Sequence, residues 1–135
     1  RLDAVDAEGN GVILYAIRSD DPETLELLRG RGADLNARGV LETTPLILAG
    51  EQGKRAALDY LLSRPEVDRD LADSHGNSAL HVAVGAGDRA AIKALVAAKA
   101  RTDLKDSQGL TAFDLAASLN KLDIVDYLVE LGIEP

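Results

Sequence analysis

The sequence predicts an all-α fold: a solenoid of four stacked helix-turn-helix units linked by short hairpin-like turns. A turn motif recurs on a spacing of 33 or 34 residues, as Asp6-Ala7-Glu8-Gly9, Asp73-Ser74-His75-Gly76 and Asp106-Ser107-Gln108-Gly109. Each copy then carries two stretches with apolar residues at helical spacing, separated by a glycine or polar break. A unit this short cannot bury its apolar face alone, so the copies must stack and share one continuous core. Aromatics make up only 3% of the chain, with no Trp and a single Phe, so that core is built from Leu, Ala, Val and Ile.

In order, the units run over 6–38, 39–72, 73–105 and 106–135, all within a single domain spanning 1–135. Unit two carries the extra residue of its longer period at Pro65-Glu66. The first helices open on Thr44-Pro45, Ser78-Ala79 and Thr111-Ala112, a hydroxyl cap followed by Pro or a small residue. Gly53 and Gly87 stop two of them. Unit one departs, with Gly11-Val12 at its first helix and Asp21-Pro22-Glu23 opening its second. The second helices carry stripes of Leu25, Leu27 and Leu28; Leu58, Leu61 and Leu62; Ile92, Leu95 and Val96; and Ile124, Val125, Leu128 and Val129. Extended polar arms such as Gly32-Ala33-Asp34-Leu35-Asn36-Ala37 join one unit to the next.

These residues resemble the ankyrin repeat: Thr44-Pro45-Leu46, Ser78-Ala79-Leu80-His81-Val82-Ala83, the central Gly53 and Gly87, the Leu-Leu pairs and Gly32-Ala33-Asp34-Leu35-Asn36-Ala37 match its signature piecewise from Asp6 to Ile133. The family's histidine survives only as His81, replaced by Leu14, Ile47 and Asp114, so weaker turn-to-turn hydrogen bonding is expected outside unit three. Thr24 and Arg29 stand where later units are mostly apolar, which predicts a solvated outer face and makes unit one the front cap, with Arg1–Val5 the remnant of an arm. At the other end, Leu119, Leu122, Leu131 and Ile133 leave unit four less polar than a cap, so a monomer with a possible end-to-end contact is expected.

The net charge of -8 and pI near 4.7 argue against nucleic acid or anionic lipid as the main partner and favour a protein with a basic or mixed surface. No cysteine is present, which removes thiol catalysis, disulfides and thiolate metal sites. No apolar run approaches the roughly 18 residues of a membrane helix. Arg1 in place of Met predicts a trimmed front: a removed leader would place the protein in the periplasm or outside the cell, otherwise a cytoplasmic location stands. The Ala-rich, Lys-poor composition suggests a bacterial source.

None of three chemical motifs in the sequence predicts a cofactor, a metal or catalysis. Gly85-x-Gly87-x-x-Ala90 follows a helix instead of the strand a dinucleotide loop needs. Asp68, Asp70, Asp73 and His75 fail the calcium-loop template, because Ala72, Asp73 and Ala79 stand where a ligand, Gly and Glu are required. Ser74, Ser78, His75 and His81 lie close in sequence, but Ser78 reads as a helix cap and His81 as structural, with no pocket to shift a pKa.

The predicted function is non-catalytic protein binding through the concave face of turn tips and first helices, as inhibitor, adaptor or assembly factor. The competing reading is a structural or solubilising segment of a larger protein. By what the resemblance implies, the binding positions are Tyr15 and Arg18; Arg38, Val40, Leu41, Thr43, Glu51 and Gln52; Ser74, His75 and Asn77; and Gln108 and Leu110. The same pattern adds Val5, Ala7, Glu8, Asn10 and Ser19 in unit one, Ala72 and Ala86 beside unit three's turn, and Lys105, Ser107 and Leu119 in unit four. Unit two's turn, Gly39-Val40-Leu41-Glu42, lacks both the Asp and the Gly of the others, so its two apolar residues either fold back onto neighbouring turns or project to meet a partner. Tyr60 and Tyr127 are expected to fill the core with hydroxyls at the rim.

Overall fold

The computed structural model describes residues 11–134. They form eight α-helices in antiparallel pairs: α1 (Val12–Ser19) and α2 (Pro22–Gly30), α3 (Pro45–Glu51) and α4 (Arg55–Ser63), α5 (Ala79–Ala86) and α6 (Arg89–Ala97), α7 (Ala112–Ser118) and α8 (Leu122–Glu130). The unit-one turn Asp6–Gly9, the binding positions Val5, Ala7, Glu8 and Asn10, the arm Arg1–Val5 and Pro135 lie outside the described residues. The first helices stack in one layer, α1 on α3, α3 on α5 and α5 on α7; α2, α4 and α6 stack behind them.

The repeat register explains the close stacking. Ala16, Ala49, Ala83 and Ala116 occupy one column of the first helices, all buried, so adjacent helices meet without a bulky side chain between them. Behind them Leu28 and the buried Leu61, Leu95 and Leu128 form the matching column of the second helices. Ile17, Leu25, Ile47, Leu58, Ile92 and Ile124 fill the space between the layers, and each contributes about 1.5–3 kcal/mol by leaving water. Leu27 is a correction: it was expected in the apolar stripe of α2, yet it is 56% exposed. Its position belongs to the outer column that holds Tyr60 and Tyr127 in later units, and both tyrosines are half-buried against the core.

Caps set where helices begin. The hydroxyl of Thr44 accepts from the Ile47 amide, and Ser78 and Thr111 build capping boxes with His81 and Asp114. Gly11 gives α1 no such bond. Asp21 accepts from the Glu23 amide and from the Thr24 hydroxyl, with Pro22 in the first turn. Lys54 does not cap α4; instead Asp20, in the preceding unit, accepts from the Ala57 amide at 2.8 Å. Asp88 serves the corresponding Ala91 amide of α6 from within its own unit.

The units are also stitched by polar contacts. His81 Nε2 lies 2.8 Å from the Leu110 carbonyl of unit four; the carbonyl only accepts, so Nε2 carries the proton and Nδ1 accepts from Ser78. Ile47 and Leu14, at the same register, are apolar and buried, and Asp114 bonds within its own capping box. Asn36 donates to the Glu66 carbonyl and accepts from the Asp68 amide, and Asp70 accepts from the Arg101 amide one unit on. Arg69 donates to the carbonyls of Leu62, Val67 and Ala98, joining the ends of α4 and α6.

Unit one's polar face also differs from expectation. Arg29 is not simply solvated: it hydrogen-bonds Glu26 at 2.6 Å and approaches Glu66 of unit two at 3.9 Å. The Tyr60 hydroxyl reaches Glu26 from unit two, so this face helps hold the first junction. Bonds from Arg29 first, and then from Tyr60, hold the Glu26 carboxyl down at about 2. In unit four Ile133 is buried, Leu131 is half-buried, and Leu119 and Leu122 are exposed.

Candidate functional site: the unit-two turn and the cleft beside it

The turns of units two, three and four are each closed by a matching backbone bond: Gly39 N–H to the Thr43 carbonyl at 2.8 Å, Asp73 to Asn77 at 3.0 Å, and Asp106 to Leu110 at 2.9 Å. In units three and four the Asp carboxylate adds two more, Asp73 accepting from the His75 and Asn77 amides and Asp106 from Gln108 and Leu110. A glycine then takes the left-handed position, Gly76 at φ 78° and Gly109 at φ 81°. Unit two has neither aid. Leu41 and Glu42 adopt φ 55° and 60°, strained values for residues with a Cβ, costing about 1–2 kcal/mol each.

Adjacent turns are tied edge to edge, Ser74 N–H to the Leu41 carbonyl at 2.8 Å and Ser107 N–H to the His75 carbonyl at 3.0 Å. The backbone of the unit-two tip is therefore anchored while its side chains project. Val40 is 39% and Leu41 60% exposed, so they do not fold back into a covered position. Strain of this kind persists only where surrounding structure holds it, and it concentrates at binding sites.

The tip forms one lip of an open cleft of about 350 Å³. Leu14, Tyr15 and Arg18 come from α1, Leu48, Glu51 and Gln52 from α3, Val40, Leu41 and Thr43 from the unit-two turn, and Asp73 and His75 from the next turn. Leu14 is buried and Leu48 half-buried, which gives an apolar floor, and the Arg18 guanidinium sits 5.3 Å from the centre of the exposed Tyr15 ring.

Eight predicted positions thus converge here: Tyr15, Arg18, Val40, Leu41, Thr43, Glu51, Gln52 and His75. Arg38, Ser74, Asn77, Gln108 and Leu110 lie elsewhere, as do Ser19, Ala72, Ala86, Lys105, Ser107 and Leu119. Arg38 donates to the Ala72 carbonyl and lies 3.7 Å from Glu42, so it braces the turn from outside the cleft. Ser74 and Leu110 use their backbones in the turn contacts, Asn77 is half-buried in its own turn, and Gln108 is exposed at the tip of unit four. Leu14, Leu48 and Asp73 were missed. Leu48 aligns with Tyr15, which marks one column on the concave side of the first helices, but an apolar residue in a helix reads as core.

Asp68, Asp70 and Asp73 hold turn and arm amides, and no group of three or more potential metal ligands occurs among the described residues. No described helix is long and apolar enough to cross a membrane.

Comparison with known proteins agrees with this architecture. The family model for ankyrin repeats (3 copies) matches residues 13–106 and 46–135. The chain is 35% identical over 116 residues to ankyrin repeat and SAM domain-containing protein 6 of Mus musculus, covering 85% of this chain and 12% of that protein. It is 31% identical over 103 residues to the nuclear factor NF-kappa-B p105 subunit of Gallus gallus, covering 74% of this chain and 10% of the relative. A transient receptor potential cation channel subfamily A member 1 homolog of Caenorhabditis elegans is 28% identical over 125 residues, 93% of this chain and 10% of its own length. The chain therefore spans about a tenth of the length of these relatives. With stacked helix pairs, tied turns and a matching model over nearly its whole length, the chain belongs to the ankyrin-repeat family.

Proposed function

We propose that this chain is a non-catalytic binding module that takes a protein partner at the cleft around Tyr15, Val40 and Leu41, serving that partner as inhibitor, adaptor or assembly factor. Ankyrin repeats are in general protein–protein interaction modules, which supports the class. The observation that carries the placement is the unit-two tip: strained at Leu41 and Glu42, anchored through its backbone, and presenting two apolar side chains over an open cleft. Covering Val40 and Leu41 contributes up to about 1.5–3 kcal/mol per side chain, the scale of a binding hot spot. Because the tip is held before contact, little ordering entropy opposes association.

A peptide library displayed on phage and panned on the wild type, with the double variant Val40→Asp/Leu41→Asp as comparison, tests this. Peptides that lose binding to the variant, while its helicity and melting stay unchanged, support the reading. Undiminished binding to the variant rejects the site. A second reading, a structural repeat segment within a larger protein, is favoured by the tenth-length match to the relatives. Failure to enrich any peptide supports that one.

A further inference from the structure

We infer that the partner segment brings a lysine or arginine side chain into the cleft beside an aliphatic one. The inference rests on the cleft being the binding site and names what it selects. Among the described residues, Glu51 is an exposed carboxylate at the end of α3 with no ion pair or hydrogen bond. Asp73 uses Oδ1 for the amides of its own turn, which leaves its second oxygen available. The Thr43 hydroxyl and the Gln52 amide, also lining the cleft, make no side-chain bond among the described residues. On other faces Asp59, Asp103 and Asp123 are matched by Arg55, Arg101 and Arg89, whereas Glu23, Asp126 and Glu130 stand exposed as Glu51 does, but away from the cleft.

Arg18 is the cleft's own cation, and it is set over the Tyr15 ring at 5.3 Å. Among the described lining residues Glu51 and Asp73 outnumber Arg18, which leaves an excess of negative charge, in a chain whose net charge is -8. An incoming ammonium or guanidinium answers Glu51 and the second oxygen of Asp73, with Thr43 and Gln52 as neutral acceptors nearby. The volume of about 350 Å³ suits a few side chains, not a whole helix. An aliphatic neighbour then covers the Val40 and Leu41 tip.

Decapeptides enriched on the wild type are resynthesised with citrulline for every arginine and acetyl-lysine for every lysine, and their affinities are measured by fluorescence anisotropy. Neutralised peptides are expected to bind about tenfold more weakly or worse. Glu51→Gln is expected to weaken the charged peptide by a similar factor and leave the neutralised peptide unaffected, because the lost pair is then the same one. Peptides that protect the Val40 tip but bind equally well when neutralised overturn the charge assignment and leave the binding module standing. If no peptide binds at the tip, both fall. Glu51 is exposed and its side chain bonds nothing among the described residues, so its loss does not threaten folding.

Discussion

The Nε2–H of His81 donates to the carbonyl of Leu110 across 2.8 Å, tying the first helix of unit three to the turn of unit four. Both ring nitrogens are used and the side chain is buried, so neither bond is readily replaced by water. His81→Leu leaves the Ser78 amide without its acceptor and removes one of the two bonds to the Leu110 carbonyl, and is expected to cost about 1–3 kcal/mol. Urea unfolding followed by circular dichroism measures it. A midpoint within error of the wild type refutes the stapling role.

Gly76 and Gly109 share a left-handed φ near 80°, but only one faces another turn. A Cβ at Gly76 would lie 2.7 Å from the Ser107 amide nitrogen, whereas one at Gly109 meets nothing within 4 Å. Gly76→Ala therefore combines backbone strain with a clash against main chain that cannot move aside. Gly109→Ala carries the strain alone, about 1 kcal/mol. The same unfolding assay is expected to rank Gly76→Ala as clearly the more destabilising, and equal losses contradict the tight approach of the two turns.

How much of this was legible in sequence follows from the range of each interaction. Ser78, Thr111 and Pro45 act within a few residues, so the starts of α5, α7 and α3 can be read directly. The period made the stacking legible, because register alone puts Ala49, Ala83 and Ala116 in one column. Asp20 capping α4 and Arg69 reaching the Ala98 carbonyl were invisible, since both partners meet only after units pack. At the site, the alignment found the rim residues and missed the floor: Leu14 and Leu48 look like ordinary core positions until the helix faces are placed. Arg38 was misdirected for a related reason, as nothing local shows that the Ala72 carbonyl lies within its reach.

Asp20 has two separable roles. Its φ of 54° is the left-handed position shared with Gly53 and Gly87, and its carboxylate holds the Ala57 amide at 2.8 Å. Asp20→Gly loses the cap but relieves the left-handed strain, so its net cost is expected to stay near a few tenths of a kcal/mol. Asp20→Ala loses the cap and keeps the left-handed strain, so it should unfold at lower urea than the glycine variant. Reversal of that order means that left-handed strain does not separate the two variants.

Glu26 links junction stability to acid. Its carboxyl falls from an ordinary 4.5 to about 2 when folded, first through the Arg29 bonds and then through Tyr60. Burial, and then the bond to Glu26, push the Tyr60 hydroxyl up. A lowered folded-state value means that the unfolded chain takes up the proton more readily. The contribution is thus fully present above about 4.5 and is lost progressively as pH falls toward 2. Glu26→Gln should reduce stability at neutral pH and flatten its decline over that interval. The exposed site and salt screening keep the effect modest. Stability measured at several pH values for both proteins decides it: parallel curves through the acid range would show that Glu26 titrates as though it had no partners.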